Sequence, residues 1–169
     1  MHSDSVERYF SDYPEGKLMT VVRDPKTWFV SFVKKKPDER GDIAEAMTRW
    51  KDSARAALDN RQRWGERIIL LTFESLLQDL EPTMRYLASA LGLTYDECLL
   101  TPTFQGMPIR ANSTFRVERD GVLDAPLKRA QDLSADEVAG IEREAGELHT
   151  AVLAEIDRAM TGQAERVTA

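Results

Sequence analysis

The chain has 169 residues, of which 42% are hydrophobic and 31% charged, so one domain, or a large part of a bigger one, can bury a core of its own. A formal net charge of −6 excludes the broad basic surface that nucleic-acid binding needs, while leaving room for a local basic pocket that takes a small anion. The single cysteine, Cys98, excludes an internal disulfide and makes a reducing compartment the default, and with only His2 and His149 as imidazoles the chain lacks a zinc ligand set.

Residues 3 to 13 read as a short helix, with Ser3 or Ser5 as N-cap and Val6, Tyr9, Phe10 and Tyr13 on one apolar stripe. Pro14-Glu15-Gly16 ends it. Leu18-Met19-Thr20-Val21-Val22 is short, apolar and rich in β-branched residues, which predicts a buried strand. Pro25 then suits the first turn of a helix reaching about Lys36, with Asp24 before it as N-cap. Trp28, Phe29, Phe32 and Val33 share one side of that helix, and Lys34-Lys35-Lys36 complement its C-terminal dipole as a solvated end.

Pro37 to Asp42 reads as an exposed loop. Ile43, Ala46, Met47, Trp50, Ala54, Ala57 and Leu58 recur at helical spacing and predict a long helix to about Trp64, closed by Gly65. The near-continuous apolar run from Arg67 to Phe73 predicts a second buried strand, of the kind found in parallel sheets covered on both faces. A helical pair follows; Pro82 suits the opening of its second member, Met84, Leu87, Ala88 and Leu91 form its stripe, and Gly92 stops it. Thr101 to Pro126 has many turn residues and little periodicity, as functional or disordered stretches do. Ser134-Ala135-Asp136-Glu137 is a capping box opening a last helix with Val138, Ile141, Ala145, Leu148, Val152 and Ile156 as its apolar positions. The tail from Gly162 reads as frayed. Strands separated by helices make the class α/β. No apolar run approaches a membrane span and Met1-His2-Ser3-Asp4 lacks a signal-peptide pattern, so a soluble cytoplasmic protein is the plain reading.

The junction from Val21 to Ser31 is the sharpest functional signal, because a strand running into a helix start is a natural anion site, and here Arg23 precedes the helix while Ser31 lies two turns into it. Alone, such an arginine pairs with a nearby carboxylate and such a serine fills a polar helix position. Arg23-Asp24-Pro25 at a strand exit, with Ser31 eight residues after Arg23, resembles the 3′-phosphate-binding segment of the sulfotransferases that use 3′-phosphoadenosine 5′-phosphosulfate (PAPS). Further stretches carry the same resemblance. Pro14-Glu15-Gly16-Lys17-Leu18 is similar to the family's phenylalanine-proline-aspartate-alanine-lysine lead-in, and Leu71-Thr72-Phe73-Glu74-Ser75-Leu76 to its aromatic-glutamate-aspartate-leucine strand exit. Met84 to Leu93 matches the helix ending in leucine-glycine-leucine, and Leu100 to Pro108 with Ala111 to Phe115 resembles a proline-threonine, glycine, asparagine-serine-serine-phenylalanine segment of bacterial members.

The resemblance implies a P-loop-NTPase-like parallel sheet flanked by helices, a partial sulfotransferase domain over residues 1–160 and a tail over 161–169. It implies PAPS as co-substrate, no metal, and sulfuryl transfer to a hydroxyl or amine of a small-molecule, carbohydrate or lipid acceptor. Arg23 and Ser31 would hold the 3′-phosphate. Phe73 falls where relatives place an aromatic near the adenine, with plain core as the alternative. Arg116, Arg119 and Gly121 fall where a basic, glycine-containing loop closes over the nucleotide, with a solvated loop as the alternative. Asn112 and Ser113 would brace that loop.

Relatives also begin with a strand and a phosphate-binding loop that grips the 5′-phosphosulfate, and the sequence shows no such loop. The expectation is therefore an N-terminally truncated domain with weak or no activity alone, a homodimer through an exposed sheet edge, and no assigned base, His2 being a terminal residue. A non-catalytic nucleotide-binding remnant, a subunit that completes its site with another chain, and a purely structural domain are the rival readings.

Overall fold

The computed structural model describes residues 3–35, 42–108 and 125–168. In chain order the elements are α1 (Ser3–Asp12), β1 (Leu18–Val22), α2 (Pro25–Lys35), α3 (Ile43–Trp64), β2 (Ile68–Thr72), α4 (Ser75–Gln78), α5 (Leu80–Leu91), β3 (Thr103–Phe104), β4 (Met107–Pro108), α6 (Ala125–Lys128) and α7 (Ala135–Thr168). β1 and β2 pair in parallel, with Leu18 opposite Ile68 and Val22 opposite Thr72. The connection between them runs through α2 and α3, as a parallel crossover requires. The α/β class is thus observed as a small parallel sheet among helices.

Two apolar clusters sandwich β2. Ile68 and Leu70 face the larger one, built from α1, α2, α3 and α7 around Phe29, Met47, Trp50, Ile141 and Val152. Ile69 and Leu71 face the smaller, with Tyr86, Leu87 and Ala90 of α5 and Ala159 of α7. These four apolar side chains of β2 are 1% exposed, each contributing about 1.5–3 kcal/mol relative to exposure. β1 differs from the expected buried strand. Only Val22 of it is buried, whereas Met19 and Val21 are 52% and 44% exposed. Their register partners are Ile69 and Leu71, so they lie on the face where α5 and α7 cover β2 and leave β1 open.

Helix ends follow local chemistry. Gly92 takes φ +73 after α5, where its amide reaches the carbonyls of Ala88 and Ser89, a left-handed stop that glycine adopts without a Cβ clash. The Ser134 capping box forms as expected: the Glu137 amide donates to Ser134 Oγ and the Ser134 amide to Glu137 Oε2. α7 continues through Gly162 to Thr168, beyond the expected fraying point, and Gln163 donates to Ser89 Oγ at 2.9 Å. Tyr13 leaves the α1 stripe at 61% exposure, and Leu91 leaves the α5 stripe at 45%. The stretch after Thr101 contains a hairpin that periodicity does not reveal, pairing Thr103 with Pro108 and Phe104 with Met107. Its two-residue turn places Gln105 at φ 52 and Gly106 at φ 79, the double positive φ of a type I′ turn.

Candidate functional site

The parallel strands end side by side, and the site grows from that. Val22 and Thr72 are in register, and the Phe73 amide donates to the Val22 carbonyl at 2.8 Å. Arg23 and Asp24 therefore leave β1 next to Phe73 and Glu74 leaving β2, outside the carboxyl ends of the strands where α/β sheets gather ligands.

Asp24 is the N-cap of α2. Its Oδ1 accepts from the amides of Lys26 at 2.8 Å and Thr27 at 3.1 Å. These are the amides that a helix start would offer an anion, so the cap itself occupies that position and modifies the simple picture of an anion resting on the helix dipole. A ligand meets side chains here instead. The Arg23 guanidinium lies over the Phe73 ring, 4.5 Å from Cζ to the centroid, a cation–π distance, and its Nε donates to Thr27 Oγ1 at 3.0 Å. Thr27 Oγ1 lies 2.7 Å from Glu74 Oε1 and 3.1 Å from the Asp24 carbonyl. The other Glu74 oxygen accepts from the Asp24 amide at 3.1 Å. Ser31 follows Thr27 by one turn on the same side of α2, about 6 Å along the axis. It is half-buried, and its hydroxyl makes no hydrogen bond to a described residue.

Two further elements press on this turn. Trp50 of α3, 3% exposed, donates its indole N–H to the Arg23 carbonyl at 2.8 Å. His149 of α7 sits edge-on to Trp50, with 6.0 Å between ring centroids, and its Nδ1 lies 3.9 Å from Asp24 Oδ2. The Lys26–Glu142 pair at 3.0 Å links the first turn of α2 to the same helix. Among the described residues no group of three or more histidine, cysteine or acidic side chains stands together as a metal site.

Displaced titrations occur at Glu144, Asp96, Cys98 and Tyr95. The Glu144 carboxyl is held below its ordinary value by its hydrogen bond and charge contact with Lys51, 3.0 Å away. Asp96 is lowered because it accepts from the Cys98 amide, and the Cys98 thiol is raised by its own hydrogen bond to Asp96. Burial raises Tyr95, whose hydroxyl has no hydrogen-bond partner among the described residues.

Of the residues singled out in the sequence, the structure brings together Arg23 and Phe73, and places Ser31 along the helix face that Arg23 reaches through Thr27. Phe73 is half-buried beneath a cation rather than plain core. Arg116, Arg119 and Gly121, like Asn112 and Ser113, lie outside the described residues. Thr27, Glu74, Trp50 and His149 are site neighbours that sequence reasoning passes over. The spacing of Thr27, four residues from both Arg23 and Ser31, is a signal in the sequence that could have found it. Glu74, Trp50 and His149 depend on strand register and helix packing. A concavity of about 150 Å³ lies at the opposite end of the strands, beside Lys17, Arg61, Ser89 and Gln163. Its cations are engaged: Lys17 Nζ donates to the Ala90 carbonyl, and Arg61 bonds Glu155 and the carbonyls of Gly65 and Ile68.

The model of the sulfotransferase family matches residues 1–97, more than half of the chain. That span includes Arg23, Ser31, Phe73 and both strands of the parallel pair. No curated protein and no solved structure matches the chain. No described helix is long and apolar enough to cross a membrane.

Proposed function

Because the chain belongs to the sulfotransferase family, we propose that the adjoining ends of β1 and β2 bind the 3′-phosphoadenosine part of PAPS. The reaction this binding serves is sulfuryl transfer to a hydroxyl or amine of a small-molecule, carbohydrate or lipid acceptor. In it the acceptor atom bonds to sulfur and its proton passes to solvent, the bond from sulfur to the 5′-phosphate oxygen breaks, and adenosine 3′,5′-bisphosphate leaves. The observation that carries the reading is the Arg23 guanidinium fixed between Thr27 and the Phe73 ring, one helix turn short of the Ser31 hydroxyl. A phosphate held by both side chains takes charge-assisted hydrogen bonds of about 2.8 Å from the guanidinium and a further hydrogen bond from the hydroxyl. Phe73 meets the base with the ring surface that Arg23 does not cover. By resemblance, Arg116, Arg119 and Gly121 close over the nucleotide.

The two parallel strand exits described, Arg23-Asp24-Pro25 and Phe73-Glu74-Ser75, both suit the 3′-phosphate and base. Neither is a glycine- or serine-rich loop that would cradle a 5′-phosphosulfate. This favours an isolated chain that binds better than it turns over, as a nucleotide-binding remnant or a subunit completing its site with another chain. The exposed Met19 and Val21 on β1 suit self-association through that edge, readable as a dimer by sedimentation.

Isothermal titration with adenosine 3′,5′-bisphosphate tests the site. Arg23→Ala is expected to weaken binding roughly ten- to a hundredfold, the range for losing a charge-assisted hydrogen bond and its ion contact. No heat from the intact protein at millimolar ligand would remove the nucleotide reading. A sulfuryl-transfer assay on the same sample separates enzyme from remnant, and rapid turnover would contradict the expectation of weak activity.

A further inference from the structure

We propose that Thr27, oriented by Glu74, is the positioning residue of the 3′-phosphate site, aiming Arg23 without itself touching the ligand. The inference rests on the nucleotide reading above. A threonine hydroxyl has one proton to give and lone pairs to accept with, whereas a carboxylate only accepts. Glu74 Oε1, at 2.7 Å, is the nearest acceptor and takes the proton. A lone pair of Thr27 Oγ1 is then turned toward the Arg23 Nε–H, 3.0 Å away. Were Glu74 absent, the hydroxyl would be free to donate to the Asp24 carbonyl at 3.1 Å, with no charge to polarise it.

The relay is itself anchored. Glu74 Oε2 accepts from the Asp24 amide, so one carboxylate ties the exit of β2 to the exit of β1. Thr27 is 6% exposed, and water therefore competes little for its hydroxyl. With Nε fixed by Thr27 and one guanidinium face supported by Phe73, Arg23 has lost rotamer freedom before a ligand arrives. Preorganisation of this kind raises affinity by lowering the ordering cost of binding. Its benefit falls on the group that Arg23 meets, a phosphate monoester on the 3′ carbon of a nucleoside. The relay thus sets the preference for 3′-phosphorylated nucleotides over those phosphorylated only at the 5′ position.

The test compares Thr27→Val, which keeps the shape and deletes the hydroxyl, with Thr27→Ser, which keeps the hydroxyl. Each folded protein is titrated with adenosine 3′,5′-bisphosphate and adenosine 5′-monophosphate. In parallel, nitrogen-15 NMR follows solvent exchange of the Arg23 Nε–H without ligand, assigned through Arg23→Lys. The intact protein and Thr27→Ser are expected to prefer the bisphosphate and protect the Nε–H. Thr27→Val is expected to lose roughly tenfold of that preference, the scale of one hydrogen bond to a charged group, along with the protection. A Thr27→Val protein that retains the preference overturns the proposal, whatever its Nε–H exchange. If the intact protein shows no preference, the phosphate reading of the site falls, and the exchange data then report only on the relay's geometry. Should Thr27→Val not fold, Glu74→Gln tests the same relay through a neutral amide, and an unchanged preference there overturns the proposal.

Discussion

Trp50 shows how a core residue serves the site. Its ring packs in the larger apolar cluster while its indole N–H holds the carbonyl of Arg23, so the backbone that carries the guanidinium is braced from α3. Trp50→Phe keeps most of the apolar surface and leaves that carbonyl without its indole donor. The expected cost is about 1–3 kcal/mol of stability, read from the urea midpoint, together with weaker bisphosphate binding. An unchanged midpoint and affinity would show that the bond braces nothing. Arg23 and Ser31 could be proposed together from the sequence because both belong to one local strand-to-helix junction. Thr27 was within reach of the same argument, standing one turn from each. Glu74 was not, because its contact with Thr27 spans 47 residues and exists only through the register of two strands.

At the scale of elements, α7 is the packing partner that joins the site to the rest of the molecule. It meets α3 along the buried positions Ile141, Ala145 and Val152, and the seam is flanked by Lys51–Glu144 at 3.0 Å and Arg61–Glu155 at 3.1 Å. The Glu144 carboxyl is lowered in the folded protein from an ordinary value of 4.5. Its contribution is therefore fully present above pH 4.5 and is lost as the pH falls through the lower folded value. Lys51→Met removes the cause of the shift, and its stability is expected to fall less steeply than the parent's between pH 5 and the acid limit. Parallel slopes in urea unfolding at stepped pH would contradict this. The stripe of α7 and its capping box were readable from spacing alone, since both are local. Its continuation through Gly162 was not, because contacts such as Gln163 with Ser89 come from a distant helix. The hairpin at Thr103–Pro108 escaped notice for another reason: its strands have two residues each, too few for alternation to register, and its turn carries Gln105 before the glycine where an asparagine would have announced it.

Across the whole molecule, the parallel arrangement followed from apolar runs separated by helices, while the burial of β1 did not. A run of apolar residues reports that a strand can be covered, not which of its faces a helix reaches, and α5 and α7 reach β2 alone. The proposed nucleotide site lies at the end where both strands finish, within the span of the family match. The opposite end, beside Lys17 and Arg61, offers the competing concavity, and a ligand can report between the two. Amide NMR mapping with adenosine 3′,5′-bisphosphate is the most direct measurement. Shifts are expected to gather at Arg23 to Ser31 and at Phe73 and Glu74; shifts gathered instead around Lys17, Arg61 and Gln163, or none at saturating ligand, would contradict a nucleotide site at the strand ends.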